Sequence, residues 1–311
     1  MKYLDISFED LYIKDELFLT IGNFDGIHKG HEDVLNNLIS DANSSNTKTA
    51  ILSFNPHPKI FFNNEKNFLI NSKNKKISIL QNFKIDYLID LKFDESLTQL
   101  SFNQFEQDIL LNKLNIKKLY LGKDFRYGNQ RKGSLNTLRK LCDSSNINLE
   151  ELHLLNDKIS NEKISSSKIR ELLKNGEIKK ANNYLHQKFS ISGQVILGDQ
   201  RGRTIGIPTA NISFPESIIQ IPYGVYAIKI KILKNHYFGI ANFGMRPTFN
   251  KTTSILEVHI FDFDEDIYGN DVEVIFFEKI RNEQKFDGIK ELLKQISLDI
   301  TVAKKILKYG N

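Results

Sequence analysis

Cysteine is nearly absent from this chain of 311 residues. Cys142 stands alone, so no internal disulfide can form and a reducing compartment fits. It falls on a helical stripe with Leu135, Leu138 and Leu141, where core packing explains it better than a catalytic thiol. Long apolar runs are also missing: none approaches the roughly 20 residues of a membrane span, so no membrane partner is expected. The first ten residues are broken by acids and lack a signal-peptide apolar stretch, and the expected location is the cytoplasm. Clustered basic residues are lacking too. The net charge of +5 is scattered and no recognition module is present, which argues against nucleic acid and suits small anionic molecules. The two halves share no internal repeat.

What is present is organised in two parts. The length is enough for two ordinary domains. Up to about residue 185, strand and helix signals alternate. Ala50-Ile51-Leu52-Ser53-Phe54, Tyr87-Leu88-Ile89-Asp90-Leu91 and Lys118-Leu119-Tyr120-Leu121 read as strands, with 149–155 a weaker one. Phe102-Phe105-Ile109 and Leu135-Leu138-Leu141 carry helical spacing. The alternation predicts a parallel sheet with helices on both faces and ligands at the carboxyl ends of its strands. The serines at 165–167 start a further helix that Asn175-Gly176 ends, and a short helix then runs to about Leu185. His186-Gln187-Lys188 is the expected linker, giving domains 1–185 and 186–311. Beyond it, residues 225–232, 254–261 and 272–277 alternate in the manner of an antiparallel barrel. Residues 286–307 return to helical spacing, as a helix laid on that barrel.

The densest signal lies at residues 22–31. Leu17-Phe18-Leu19-Thr20-Ile21 reads as a strand, and Val34, Leu35, Leu38 and Ile39 carry helical spacing. Between them stand Gly22, Phe24, Asp25, Gly26, His28, Gly30 and His31. A strand, a glycine-rich turn and a helix present a helix N-terminus to phosphate. Two imidazoles three residues apart can donate hydrogen bonds as charge shifts in a displacement at phosphorus. His28-Lys29-Gly30-His31 resembles the H-x-G-H signature of nucleotidylyl transferases, which makes ATP the expected ligand.

A second constellation follows the linker. The stretch from Gly193 through Gly198 and Gly202 to Arg203-Thr204 is not a P-loop, because its glycine spacing is one residue short and Arg203 replaces the lysine. Its glycines can still wrap phosphates through backbone N–H groups. In Pro208-Thr209-Ala210-Asn211 an extended chain points Thr209 and Asn211 the same way. A hydroxyl and an amide oxygen there suit Mg2+, with phosphates and waters completing the shell. A turn with local side-chain caps explains the same residues. Glu257 shares a strand face with Ile255, His259 and Phe261. It reads equally well as a general base or as a solvent-facing strand glutamate.

Together these blocks resemble the bifunctional bacterial riboflavin kinase/FMN adenylyltransferase family, also called FAD synthetase. The resemblance spans residues 17–304. It also draws on Phe54-Asn55-Pro56-His57-Pro58, Gly122-Lys123-Asp124-Phe125-Arg126-Tyr127-Gly128, Ser165-Ser166-Ser167-Lys168-Ile169-Arg170 and Asn242-Phe243-Gly244-Met245. It implies a nucleotidylyl-transferase α/β domain with a Rossmann-like parallel sheet, then a six-stranded antiparallel riboflavin-kinase barrel with a C-terminal helix. Riboflavin and ATP would give FMN in the second domain, and FMN and ATP would give FAD and pyrophosphate in the first. Both steps would need Mg2+. By position, His28 and His31 would steady the ATP α-phosphate, Asp124 would lie near the nucleotide, and Ser166 and Arg170 would grip the triphosphate. Ser167 and Lys163 stand where the family commonly has Thr and sometimes Arg. Thr209 and Asn211 would hold Mg-ATP, Glu257 would activate the ribityl hydroxyl, and Arg281, Glu283 and Phe286 would lie near the flavin. The expected assembly is a monomer or weak homo-oligomer.

Overall fold

The computed structural model describes residues 1–152, 163–198, 202, 206–247 and 252–308. The chain divides into two compact units, Met1–Glu65 with Lys73–Ser165, and Lys66–Ser72 with Ser166–Asn311.

Side-chain alternation explains the first unit. Strands β1 (Lys2–Ile6), β2 (Ile13–Ile21), β3 (Lys48–Asn55), β4 (Tyr87–Lys92), β5 (Leu114–Gly122) and β8 (Asn148–Leu152) form one parallel sheet in the order β1-β4-β3-β2-β5-β8. Successive residues of a strand face opposite sides. Phe18, Ile51, Leu88 and Tyr120 therefore meet Leu35 and Leu38 of the helix Lys29–Ser44 and Ile79 and Leu80 of the helix Lys73–Asn82. Leu19, Leu52, Ile89 and Leu119 turn the other way, toward Leu138, Leu141 and Cys142 of the helix Leu135–Ser145. Both faces are covered, as parallel sheets require. The order turns back at β2, with β3 on one side and β5 on the other. Crevices outside strand carboxyl ends at such a reversal are where ligands bind in open α/β sheets.

Two local readings need correction, and a third is met as far as the described residues reach. β1 carries no apolar run of its own and was not expected as a strand; it pairs along the β4 edge. The pattern around Phe105 is a short α-turn over Phe102–Gln104 running into a π-helix, Phe105–Leu111, which buries Phe105, Glu106, Ile109 and Leu110 together. β8 ends at Leu152, and the rest of the 149–155 expectation lies outside the described residues. A hairpin, β6 (Arg126–Tyr127) with β7 (Gly133–Ser134), stands beside the main sheet.

In the second unit, β9 (Ser190–Ile196), β10 (Ala210–Ser213), β11 (Gly224–Ile232), β12 (Asn235–Pro247), β13 (Thr252–Ile260) and β14 (Asp271–Asn282) close into an antiparallel barrel. Its core takes Tyr226, Ile228, Phe243, Leu256, Val258, Val274 and Phe276. The alternate residues Val225, Ala227 and Ile240 form an outer patch, packed against Ala303 and Leu307 of the C-terminal helix (Ile289–Leu307). That helix starts three residues later than the spacing from Phe286 implied. The helices Ser166–Lys174 and Ile178–Tyr184 bury Ile169, Leu173, Ile178 and Ala181 in the barrel's own cluster. This packing draws the unit boundary at Ser165, ahead of the linker at 186–188.

Burial of Cys142 pushes its thiol up to about 11. At pH 8 the reactive thiolate is then on the order of one part in a thousand. A thiol-disulfide indicator should titrate no cysteine in the native protein and one after unfolding; fast native labelling would contradict the core assignment.

Candidate functional site

The turn after β2 holds an unusual helix cap. His28 is the N-cap of the helix Lys29–Ser44, with extended backbone at φ −100° and ψ 172°. Its Nδ1 accepts from the His31 N–H at 3.2 Å, and the His31 Nδ1 accepts from the His28 N–H at 3.4 Å. This is a capping box built from two imidazoles, where serine and glutamate ordinarily serve. The rings stack at 3.7 Å between centroids, inclined by 14°, and Phe24 lies 4.7 Å from His31. A Cβ on Gly30 would come within 3.2 Å of the His28 ring, so glycine makes room for the stack. Phe24 and Gly26 take positive φ, 50° and 77°, in the tight turn between β2 and the helix. Phe24, Asp25 and His28 are all buried. Gly22 opens the turn, its N–H donating to Leu52 O of β3.

The cap fixes proton positions. A neutral imidazole whose Nδ1 accepts a hydrogen bond carries its proton on Nε2. Both rings are thereby held as Nε2–H donors.

Asn23 in the same turn escaped the sequence reading. Its Oδ1 is buried with no hydrogen-bond partner among the described residues. Such an atom costs stability unless a ligand satisfies it. In the same unit, Phe54, Phe61, Phe62 and Phe93 make edge-on pairs at 5.3–5.7 Å around the carboxyl ends of β3 and β4. Phe62 remains 65% exposed, which identifies an aromatic platform rather than core. Asp124, just past β5, is exposed and paired with Lys163 at 2.6 Å. That ammonium holds the Asp124 carboxyl below the usual carboxylate range.

Ser166, Ser167 and Arg170 belong to the second unit. The two serines open the helix Ser166–Lys174. Arg170 is buried: its guanidinium stacks 3.9 Å from the Phe68 ring centroid, and its Nε donates to Phe68 O at 2.9 Å. Phe68 comes from the short segment Lys66–Ser72, whose backbone bonds to the 216–219 region. No periodicity in Asn67-Phe68-Leu69-Ile70 betrays that attachment.

The barrel carries the larger cavity, about 590 Å3, between its outer wall and the C-terminal helix. Thr209, Asn211, Glu257, Arg281 and Phe286 all line it, together with His259 and Asp299. Strand register explains the meeting, since Glu257 of β13 pairs with Asn211 of β10 and Asn242 of β12. Turning β13 over would bury Glu257 and expose Leu256, Val258 and Ile260, at about 2 kcal/mol for each apolar side chain. His259 Nδ1 meets Pro208 O at 2.9 Å, tying the Pro-Thr-Ala-Asn turn to β13. Gly198 is pressed onto Asn211: a Cβ there would fall 1.8 Å from Asn211 Nδ2. Arg201, Arg203 and Thr204 of the same loop lie outside the described residues. A second cavity of about 200 Å3 shares Thr209 and is walled by Val195, Val258, Ile260 and Tyr268.

Comparison with known proteins agrees with both halves. An FAD synthetase family model matches residues 12–168 and a riboflavin kinase model matches residues 185–307. The bifunctional riboflavin kinase/FMN adenylyltransferase of Buchnera aphidicola subsp. Schizaphis graminum is 40% identical over 293 residues, covering 92% of this chain and 93% of that protein. The chain belongs to the bifunctional riboflavin kinase/FMN adenylyltransferase family. It is a bifunctional enzyme, with an N-terminal FAD synthetase domain and a C-terminal riboflavin kinase domain. The family protein of Bacillus subtilis is 36% identical over 308 residues, covering 96% of both chains. A solved structure named as a macrolide-efflux protein from Streptococcus pneumoniae matches at TM-score 0.88 and 28% identity, covering 97% of this chain and 98% of that one. No helix among the described residues is long and apolar enough to cross a membrane.

The cap makes a spectroscopic prediction for this FAD synthetase domain. In 15N spectra at a pH where both rings are neutral, His28 and His31 should show the Nε2–H tautomer. An Nδ1–H signal from either would contradict the capping geometry.

Proposed function

We propose that the two activities use two separate constellations, and that the cavity carrying Glu257 is the riboflavin kinase site. The observation that carries this reading is that five separately placed sequence candidates, Thr209, Asn211, Glu257, Arg281 and Phe286, line that one cavity. Among the described residues nothing donates to the Glu257 carboxylate, so it is available as a base. It would take the proton of the ribityl hydroxyl as that oxygen attacks the γ-phosphorus of ATP. The bond to the bridging oxygen breaks and ADP leaves. Apolar walls from Val225, Ile240 and Leu292 suit the isoalloxazine rings. The smaller cavity beyond Thr209 suits the adenosine end of ATP.

The residues present fit Mg2+ arriving with nucleotide. No group of three or more His, Cys, Asp or Glu among the described residues is arranged to hold a metal by itself. Thr209 and Asn211 offer two neutral oxygens, and the glycines at 198 and 202 let the loop backbone close on those two side chains where a Cβ would clash. Such a sparse oxygen set fits a hard cation whose other ligands are phosphates and waters. When bound, the ion would neutralise phosphate charge.

In the adenylyltransferase domain, the Nε2–H groups of His28 and His31 would donate to the α-phosphate of ATP. A phosphate oxygen of FMN attacks the α-phosphorus, and pyrophosphate leaves with the electron pair of the broken bond. The phenylalanine platform supplies a stacking surface for the flavin, and Asn23 Oδ1 an acceptor for a ligand N–H or O–H. Asp124, paired with Lys163, is proposed to lie near the nucleotide, and Ser166, Ser167 and Arg170 of the second unit are proposed to grip a triphosphate. We place the functional boundary at 185/186, one residue into the kinase match.

Single substitutions separate the sites. Glu257→Gln should lower FMN formation by ~10²-fold or more while FMN-to-FAD conversion continues. His28→Asn keeps a capping acceptor, and should cost FAD formation ~10²-fold while the kinase is spared. Joint loss in a folded variant would overturn the two-site reading.

A further inference from the structure

We propose that Asp299 is a positioning residue for riboflavin phosphorylation, acting through Arg281. The proposal rests on the reading of the 590 Å3 cavity as the riboflavin site. Asp299 is 2% exposed, on a helix whose other inward residues, Ile296, Ile300, Ala303 and Leu307, are apolar. A buried carboxylate on such a face is costly unless it is paired and fully hydrogen-bonded. Asp299 meets both conditions. Arg281 Nε donates to its Oδ1 and Oδ2 at 3.1 and 3.0 Å, Arg281 Nη2 reaches Oδ2 at 2.9 Å, and Gln295 Nε2 donates to Oδ1 at 2.9 Å. On its far side Arg281 Nη1 donates to Asn282 O at 3.0 Å.

The guanidinium is thereby held in one plane from two directions, from the C-terminal helix and from β14 itself. Arg281 and Asp299 both line the cavity, as does Phe286, whose ring centroid lies 5.7 Å from the guanidinium carbon. The remaining helix-to-wall contacts, such as Ile296 and Ala303 near Val225 and Ile240, are apolar and non-directional. They hold the helix down without setting its register along the wall. The ion pair is directional and does set it, because a bidentate fork tolerates little displacement. An apolar pair of similar volume would serve stability as well or better. The specific gain from a carboxylate here is orientation: it fixes how far Phe286 and the helix stand from the wall, and so the width of the slot for a planar ligand.

The test compares wild type, Asp299→Asn and the double variant Arg281→Met with Asp299→Leu, measuring KM for riboflavin, KM for ATP, kcat, melting temperature and FMN adenylylation. Asp299→Asn should raise the riboflavin KM about tenfold or more and move the ATP KM by no more than about threefold. FMN adenylylation should stay near wild type, reporting an intact N-terminal domain. The double variant should regain the wild-type melting temperature yet keep the raised riboflavin KM. Recovery of both stability and riboflavin KM would overturn the proposal, because the pair would then be only structural. An unchanged riboflavin KM in Asp299→Asn would overturn it as well. A folded Glu257→Gln that still forms FMN at the wild-type rate would instead refute the assignment of the cavity; loss of FMN formation in Glu257→Gln with an indifferent Asp299 would refute this proposal alone.

Discussion

A barrel core filled by apolar and aromatic side chains is the constraint on which the kinase half depends. Tyr226, Phe243, Leu256, Val258, Val274 and Phe276 fill it, and all are wholly buried. Nothing polar can react there, so chemistry is forced onto the outer wall. Strand alternation then decides which residues reach that wall, and in β13 it delivers Glu257 and His259 between Leu256, Val258 and Ile260. Register brings Asn211 and Asn242 alongside. The C-terminal helix turns this exposed strip into a cavity, and the Arg281–Asp299 pair ties the helix to β14.

The first unit solves a different problem with a different device. A parallel sheet buried on both faces leaves only the strand ends for binding. At the end of β2 the helix N-terminus would expose unpaired backbone N–H groups. Two histidines cap it reciprocally, and the cap orients their remaining N–H groups. Structural and chemical roles thus coincide in His28 and His31. Removing either ring disturbs the helix start as well as any phosphate contact, which is why a capping replacement separates the two effects better than alanine.

Much of this was legible in the residues themselves. Period-two alternation in β11 and β13 and the strand-glycine-helix order at 17–39 are local signals, and the structure keeps both. Thr209, Asn211 and Glu257 were also readable as candidates, because each sits on a strand or turn whose facing can be counted. Contacts between distant segments were not readable. No local pattern singles out Asp299, because its partner Arg281 comes from β14. Segment 66–72 carries too few residues for a period, so its attachment to the barrel unit, and with it the Phe68–Arg170 stack, was invisible. The π-helix at 105–111 imitates α spacing closely enough to deceive any count by threes and fours.

The central claim is that one chain carries out two successive ATP-dependent steps at separate sites. The most direct measurement is a time course of separated flavins, with ADP and pyrophosphate followed in parallel, after riboflavin, ATP and Mg2+ meet the purified protein. The account predicts FMN first with equimolar ADP, then FAD with equimolar pyrophosphate. FAD appearing without free FMN and without ADP, or FMN accumulating indefinitely even with pyrophosphatase present, would contradict it.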